Sequence, residues 1–256
     1  MKQRKTAAGN PSNGEGREKP VAAVQRATMV LDAFLEGEGA LSLAQLSAIT
    51  GLYKSTIGRI LRTLELQDYV VRTQHGDFHI GPALFQLAAR FQRAMLPEEF
   101  VLPVLRSLVR QTGESACYVI PRDEDRLMLY RVHSPHAIRD HGLAGDLMPL
   151  DRGAAGYIFR AYHSDSAQDA IVREKLMATS RGEIETGMMG MASPVFDRGR
   201  ECVGAIALTG PAMRFTPESI ATWRSKLLGA AQALTVRLGG NGRLFDSALA
   251  GEEPST

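Results

Sequence analysis

The apolar positions between Leu41 and Val71 fall into two helical stripes separated by a glycine. Leu43, Leu46 and Ile49 recur at helical spacing and give a first helix its inner face. Ser42 with Gln45 three residues on is a capping box, with Leu41 and Leu46 available as the hydrophobic staple. Gly51 ends the helix, because a sharp turn there needs the left-handed conformation. A second helix starts near Lys54, with Ile57, Ile60, Leu61 and Leu64 on one side. Ser55, Thr56, Arg59, Arg62 and Thr63 fall on the other. Tyr69–Val71 then reads as a strand, Thr73–Asp77 as a turn and Phe78–Ile80 as a returning strand. Two helices joined by a tight turn and followed by a small hairpin predict a winged helix.

The flanking pattern is also helical. Val24, Ala27, Val30, Leu31 and Phe34 predict an inward face for a helix from about Ala22 to Leu35, stopped by Gly37 and Gly39. After Gly81, Leu84, Ala88, Phe91 and Met95 repeat at helical spacing, so an amphipathic connecting helix is expected there. Either a second copy of the chain or its own domain must cover that apolar face.

From Val101 the pattern changes. Leu102, Leu105, Leu108 and Val109 predict a helix closed by Gly113. Ser115–Ile120 pairs with Leu127–Val132 across a polar turn, and Met189–Phe196 pairs with Cys202–Thr209. His133–Leu150 reads as loop, Ala154–Tyr162 as a short helix and Ser166–Met177 as a polar helix. Thr216 caps a last helix with Pro217 in its first position. That helix is expected to run to Gly239. The second half is therefore α+β, an antiparallel sheet flanked by helices.

Composition narrows the function. With 44% hydrophobic and 23% charged residues the chain is ordinary globular protein. Its net charge of +2 is only weakly basic, so any nucleic-acid surface must be local. Cys117 and Cys202 give no disulfide framework, both lie in apolar runs, and a cytoplasmic location is expected. The basic N-terminus lacks the apolar run of a secretory signal, and no stretch approaches the ~20 apolar residues of a membrane span. Residues 1–19 read as a disordered tail.

The second helix of the winged motif carries the chemistry. An arginine on its outer face can make paired hydrogen bonds to guanine O6 and N7, worth roughly 1–3 kcal/mol of discrimination. Lys54 at the helix start can reach a phosphate, and Arg72, Gln74 and His75 are the candidates on the wing. His133, His136 and His141, with Asp140 and Asp146 near, raise the alternative of a metal-dependent or acid–base enzyme in the second domain. Their spacing matches no standard ligand pattern. No nucleophile elbow, Walker loop or dinucleotide fingerprint is present, so no enzyme, metal or cofactor is expected.

The residues LSLAQLSAITGLYKSTIGRILRTLELQDYV and FHIG, then TGESACYVI, LMPLDRGAAGYIFRA, MASPVFD and VGAIALTGPAMRFTPE, follow one another in a known order. In this the chain resembles the IclR family of transcriptional regulators over Val21–Gly239. The resemblance implies a winged helix-turn-helix over 20–82, a linker helix over 83–100, a GAF-like effector domain over 101–239 and a tail over 240–256. It implies homodimers that pair into homotetramers, binding of double-stranded operator DNA, and control of a catabolic operon, by repression, through a small organic or aromatic acid. The family's recognition helix falls on Lys54, Ser55, Thr56, Arg59 and Arg62. Its effector cavity falls on Leu147, Met148, Tyr157, Met188, Gly190, Met191, Ser193, Ala207 and Thr209. Tyr53 stands where a proline is usual, Gly58 lies inside the recognition helix, and Tyr157 replaces a lysine. Met148, Met188, Met189 and Met191 would make a soft, apolar cavity, which favours an aromatic acid over a two- or three-carbon one.

Overall fold

The signals that start and stop the first helices act locally, and each finds its partner. In the computed structural model, which describes residues 20–250 except 38, 96 and 163–165, α1 (Ala22–Asp32) runs into a 3-10 turn, Ala33–Leu35. It is followed by α2 (Leu43–Thr50) and α3 (Lys54–Glu65). Ser42 Oγ accepts from the Gln45 amide at 3.3 Å, and the Gln45 side chain accepts from the Ser42 amide at 2.9 Å. Gly51 holds φ at 70° and ends α2. β1 (Val70–Arg72) and β2 (Phe78–Ile80) form the antiparallel wing. Leu41 exchanges backbone hydrogen bonds with Phe78 at 2.7 and 2.9 Å, which ties the entry of α2 to the wing.

Val30, Phe34, Leu41, Leu46, Ile57, Leu61, Val70 and Phe78 make the core of this unit. Two expected inward positions are corrected. Val24 and Ile49 are exposed, because each lies at the margin of its stripe and the small three-helix core closes without them. α4 (Pro82–Met95) follows, and the chain divides into two units after Ala89. On α4, Leu84 is half-buried while Ala88 and Phe91 are exposed, as are Phe85 and Leu87; the Met95 side chain lies outside the described set.

The second unit opens with α5 (Glu98–Thr112), β3 (Ser115–Arg122), β4 (Asp125–Val132) and β5 (Leu147–Pro149). α6 (Ala154–Ala161), α7 (Ala167–Lys175) and β6 (Ala178–Arg181) follow. β7 (Met188–Phe196), β8 (Cys202–Pro211), α8 (Pro217–Arg237) and α9 (Asp246–Ala250) complete it. The six strands form one antiparallel sheet in the order β5-β4-β3-β8-β7-β6. Helices α5 and α8 pack on one face and α6 on the other. Strand alternation sorts the side chains between them. Cys117, Val119, Ala207 and Thr209 face α6, while Tyr118, Ile206 and Leu208 face α5 and α8.

Two short edge strands were not foreseen: β5 lies inside the expected loop 133–150 and β6 beyond the expected polar helix. Neither is long enough to show alternation. The end of the chain also differs from the tail expected after Gly239. A 3-10 turn, Gly242–Phe245, and α9 fold back on α8, with Phe245 fully buried 6.1 Å from the Phe196 ring. The tails expected over 1–19 and 251–256 lie outside the described residues.

If Phe245 is a core residue, Phe245→Ala should lower the unfolding free energy by about 3–5 kcal/mol in urea titration. A true tail position would change it by less than about 0.5 kcal/mol.

Candidate functional site

Each unit carries one surface with chemistry. In the first, α3 buries Ile57 and Leu61 and leaves Lys54, Ser55, Arg59, Arg62 and Thr63 exposed, with Thr56 half-buried between them. The residue before this helix, Tyr53, is extended and makes no side-chain cap, and Lys54 stands exposed at the helix start. Gly58 has nothing within 4 Å of where a Cβ would stand, so packing within the unit does not require glycine there. On the wing, the Arg72 guanidinium lies 5.5 Å from the centre of the Phe78 ring and donates from Nε to the Gly76 carbonyl at 3.4 Å. Gln74 and His75 are exposed at the turn. One further cation joins them: Arg26 of α1 lines a cleft with Thr56, Arg59 and Thr63. Its sequence signal was a basic residue on an exposed helix face, which does not by itself point to α3.

In the second unit a cavity of about 130 Å³ lies between the sheet and the start of α6. Cys117, Val119, Ala207 and Thr209 form its floor, Met128 and Met148 one wall, and Met188 and Ile184 another, while Met189, in phase with Met191, turns to the α8 face. Of the expected lining, Met148, Met188, Gly190, Ala207 and Thr209 meet here. Four expected positions are corrected. Met191 and Ser193 pair with Leu208 and Ile206, so alternation turns them to the α8 face. Leu147 pairs with Leu127, opposite in phase to Met148, and is exposed. The Tyr157 ring sits under the Arg160 guanidinium at 4.7 Å, and its hydroxyl bonds Glu183, which raises its pKa above the ordinary value.

The cavity contains charged groups that periodicity did not reveal. β3 and β4 slip register between Tyr118 and Val119, so that Cys117 faces Arg131 and Val119 faces Met128. This bulge brings Arg126, Met128 and Arg131 to one face, although Met128 and Arg131 are three residues apart. Arg131 has a side chain only 2% exposed, ion-paired with Asp140 through Nη2 and Oδ2. The Thr209 hydroxyl donates to the same Asp140 oxygen at 2.8 Å, leaving Asp140 Oδ1 buried without a partner. Arg126, 3% exposed, donates from Nη1 to the carbonyls of Pro149 and Arg152, the latter at 2.9 Å. Burial works against its charged form and pulls its pKa down. At the start of α6, Gly153 N donates to Glu183 Oε2 at 2.8 Å and Ala154 N to Ser180 Oγ at 2.9 Å.

Cys117 on the cavity floor is pushed up to about 11 by burial, so it is a neutral thiol and not a nucleophile at neutral pH. His133 lies 3.4 Å from Arg131 Nε, and burial, then the neighbouring arginines, lowers its pKa. Arg139 bonds the Ser134 and His136 carbonyls. Among the described residues no group of three or more His, Cys, Asp or Glu side chains is arranged to hold a metal ion. No described helix is long and apolar enough to cross a membrane.

Comparison with known proteins gives these surfaces their context. Residues 23–74 match the model of the IclR helix-turn-helix domain, and 170–236 that of the bacterial transcriptional regulator IclR C-terminal domain. The transcriptional repressor IclR of Escherichia coli is 25% identical over 249 residues, spanning 86% of this chain and 91% of that one. The regulator TtgV of Pseudomonas putida is 31% identical over 163 residues, 63% of this chain and 62% of its own. An IclR homolog from Microbacterium hydrocarbonoxydans, solved in complex with 4-hydroxybenzoate, shares the fold with a TM-score of 0.73 at 17% identity, covering 85% of this chain and 99% of that one. A winged helix with an exposed basic helix, a second unit built on a six-stranded sheet and these matches have one reading: the chain belongs to the IclR family of DNA-binding transcriptional regulators.

Proposed function

We propose that this regulator is a cytoplasmic repressor of a catabolic operon, released from its operator by a small aromatic acid that enters the cavity of the second unit. The cavity carries the proposal: it is apolar, methionine-walled and contains buried cationic side chains, in a chain whose other unit reads DNA. Its volume of about 130 Å³ is close to the roughly 150 Å³ of a cavity that accepts benzene. One six-membered ring fills such a space; a two-carbon acid leaves most of it empty. The 4-hydroxybenzoate bound by the Microbacterium homolog is a ligand of that size and class.

On the DNA side, Arg59 and Arg62 would read base edges in the major groove, with Ser55 and Thr56 beside them. Lys54, Arg72 and Gln74 would hold phosphates, and Arg26 would add a further contact. Two copies are needed for a palindrome, with their recognition helices about 34–36 Å apart. The exposed apolar side chains of α4, led by Phe85 at 76% exposure, are what a second copy would cover. The effector acts by linkage: it binds one arrangement of the oligomer better than another, and that difference alone shifts the equilibrium.

Three outcomes are expected. In fluorescence anisotropy on its own upstream region, Arg59→Ala should cost about 1–3 kcal/mol on the specific site and little on random DNA. Lys54→Ala should weaken both alike and reduce the salt slope by about one; unchanged specific binding for Arg59→Ala would remove that side chain from the base edge. In calorimetry, benzoate-sized acids should bind more tightly than glyoxylate or pyruvate, and the reverse order would reject the aromatic reading. In light scattering, Phe85→Ser with Phe91→Ser should lower the oligomeric state, and an unchanged mass would exclude α4 as the contact.

A further inference from the structure

Arg131 and Arg126 both line the cavity, yet they are in different electrostatic states. Arg131 is neutralised by Asp140 and held by Thr209. Among the described residues Arg126 has no ion pair: its partners are the neutral carbonyls of Pro149 and Arg152 and, at 3.9 Å from Nη2, the Met148 sulfur. Asp151 and Asp125 are the acids whose charges reach it, but neither is in contact, and Asp151 is exposed and paired with Arg152. A guanidinium 3% exposed without a counter-charge is costly, and one partner removed from a buried pair is the usual reason for such a state.

The backbone sharpens the imbalance. Arg126 Nη2 lies 3.0 Å from where a Cβ on Gly153 would stand, and Nη1 3.3 Å from that of Gly156, so the guanidinium rests against the first turn of α6. That turn carries the positive end of the helix dipole. Glu183 answers that end through Gly153 N, so the charge left there without an ion pair among the described residues is that of Arg126. Glu183, which also lines the cavity, is committed to Gly153 N and to the Tyr157 hydroxyl. Arg126 itself lines the open volume, beside the neutral groups of Met148, Cys117 and Gly153.

We propose that the missing counter-ion is the effector's own carboxylate, bound by Arg126 at the start of α6, and that Arg126 is the residue that selects acids over neutral molecules of the same shape. This rests on the cavity being the effector site. Arg131 does not compete for the carboxylate, because taking it would strand Asp140. The ring then lies toward Met128, and a hydroxyl at its far end meets the unpartnered Asp140 Oδ1. Arg126 remains a binding residue; its hydrogen bonds to Pro149 and Arg152 fix the guanidinium before the ligand arrives, and an arginine already held in place loses less entropy on pairing.

The test is calorimetric titration of the full-length protein with benzoate and 4-hydroxybenzoate and with their neutral amides. Wild type should bind each acid about tenfold or more tightly than its amide, as expected for a charge-assisted bond in a buried site. Arg126→Met should remove that preference by weakening the acids while leaving the amides as they were, and Arg126→Lys should retain most of it. A general loss of packing would weaken acid and amide together, and the wild-type comparison needs no variant at all. If wild type binds acid and amide equally, or Arg126→Met keeps the preference, the assignment of Arg126 fails while the cavity stands as a ligand site. If neither acids nor amides bind at millimolar concentration, the one-ring effector reading fails with it.

Discussion

The register of β3 against β8 is the constraint on which the second unit depends. These are the two central strands, and a slip of one residue would exchange the cavity floor for the helix-packing face. Two glycines hold the register from behind. A Cβ on Gly204 would fall 2.2 Å from the Tyr118 hydroxyl, and one on Gly210 would fall 2.0 Å from Glu114 Oε2. Tyr118 and Glu114 thus fill notches that exist at only one alignment. Glu114 is itself buried and paired with Arg214, whose other donors hold the Ile138 carbonyl at 3.1 Å. The strap carrying Asp140 is in this way fixed to the same pairing that sets the floor beneath it.

The strap and the sheet divide the labour of satisfying buried charge. Ser134 donates to the Gly113 carbonyl and takes the amide of His136, and Gly145 N bonds Met128 O at 2.7 Å. With Ser134 N donating to Ser115 Oγ at 3.0 Å, both ends of 133–146 are anchored to β3 and β4, and Asp140 is delivered to Arg131 between them. The result is a cavity whose two ends differ: at one Arg131 is paired with Asp140, at the other Arg126 is held by backbone carbonyls. An elongated ligand with unlike ends has one preferred orientation in such a space.

The winged helix was legible in the sequence because its determinants are local. Caps act over three residues, glycine turns over one, and a helical stripe repeats within two turns. The faces of β7 and β8 were partly legible, since alternation sorts Gly190, Ala207 and Thr209 from their neighbours, although Met191 and Ser193 were placed on the wrong side of it. The charged lining was not. Arg126 and Arg131 come to one face only through the bulge opposite Tyr118, and a bulge is decided by packing between strands distant in sequence. The short strands β5 and β6 are edges with too few residues to show a period. The closing turn at Phe245 is a single aromatic anchor after a glycine pair, a pattern that reads equally well as a loose end.

The hydrogen bonds between Leu41 and Phe78 have a consequence of a different kind. They bridge the residue just before the α2 cap to β2 of the wing, so the helix pair and the hairpin form one mechanical piece. The wing cannot be displaced by a few ångström while α2 and α3 stay put. The contacts proposed for Arg72 along the DNA backbone and for Arg59 in the groove would then be gained and lost together. A grip of that kind would be all-or-none for each copy of the unit, and gradation in the response would come from the number of copies engaged.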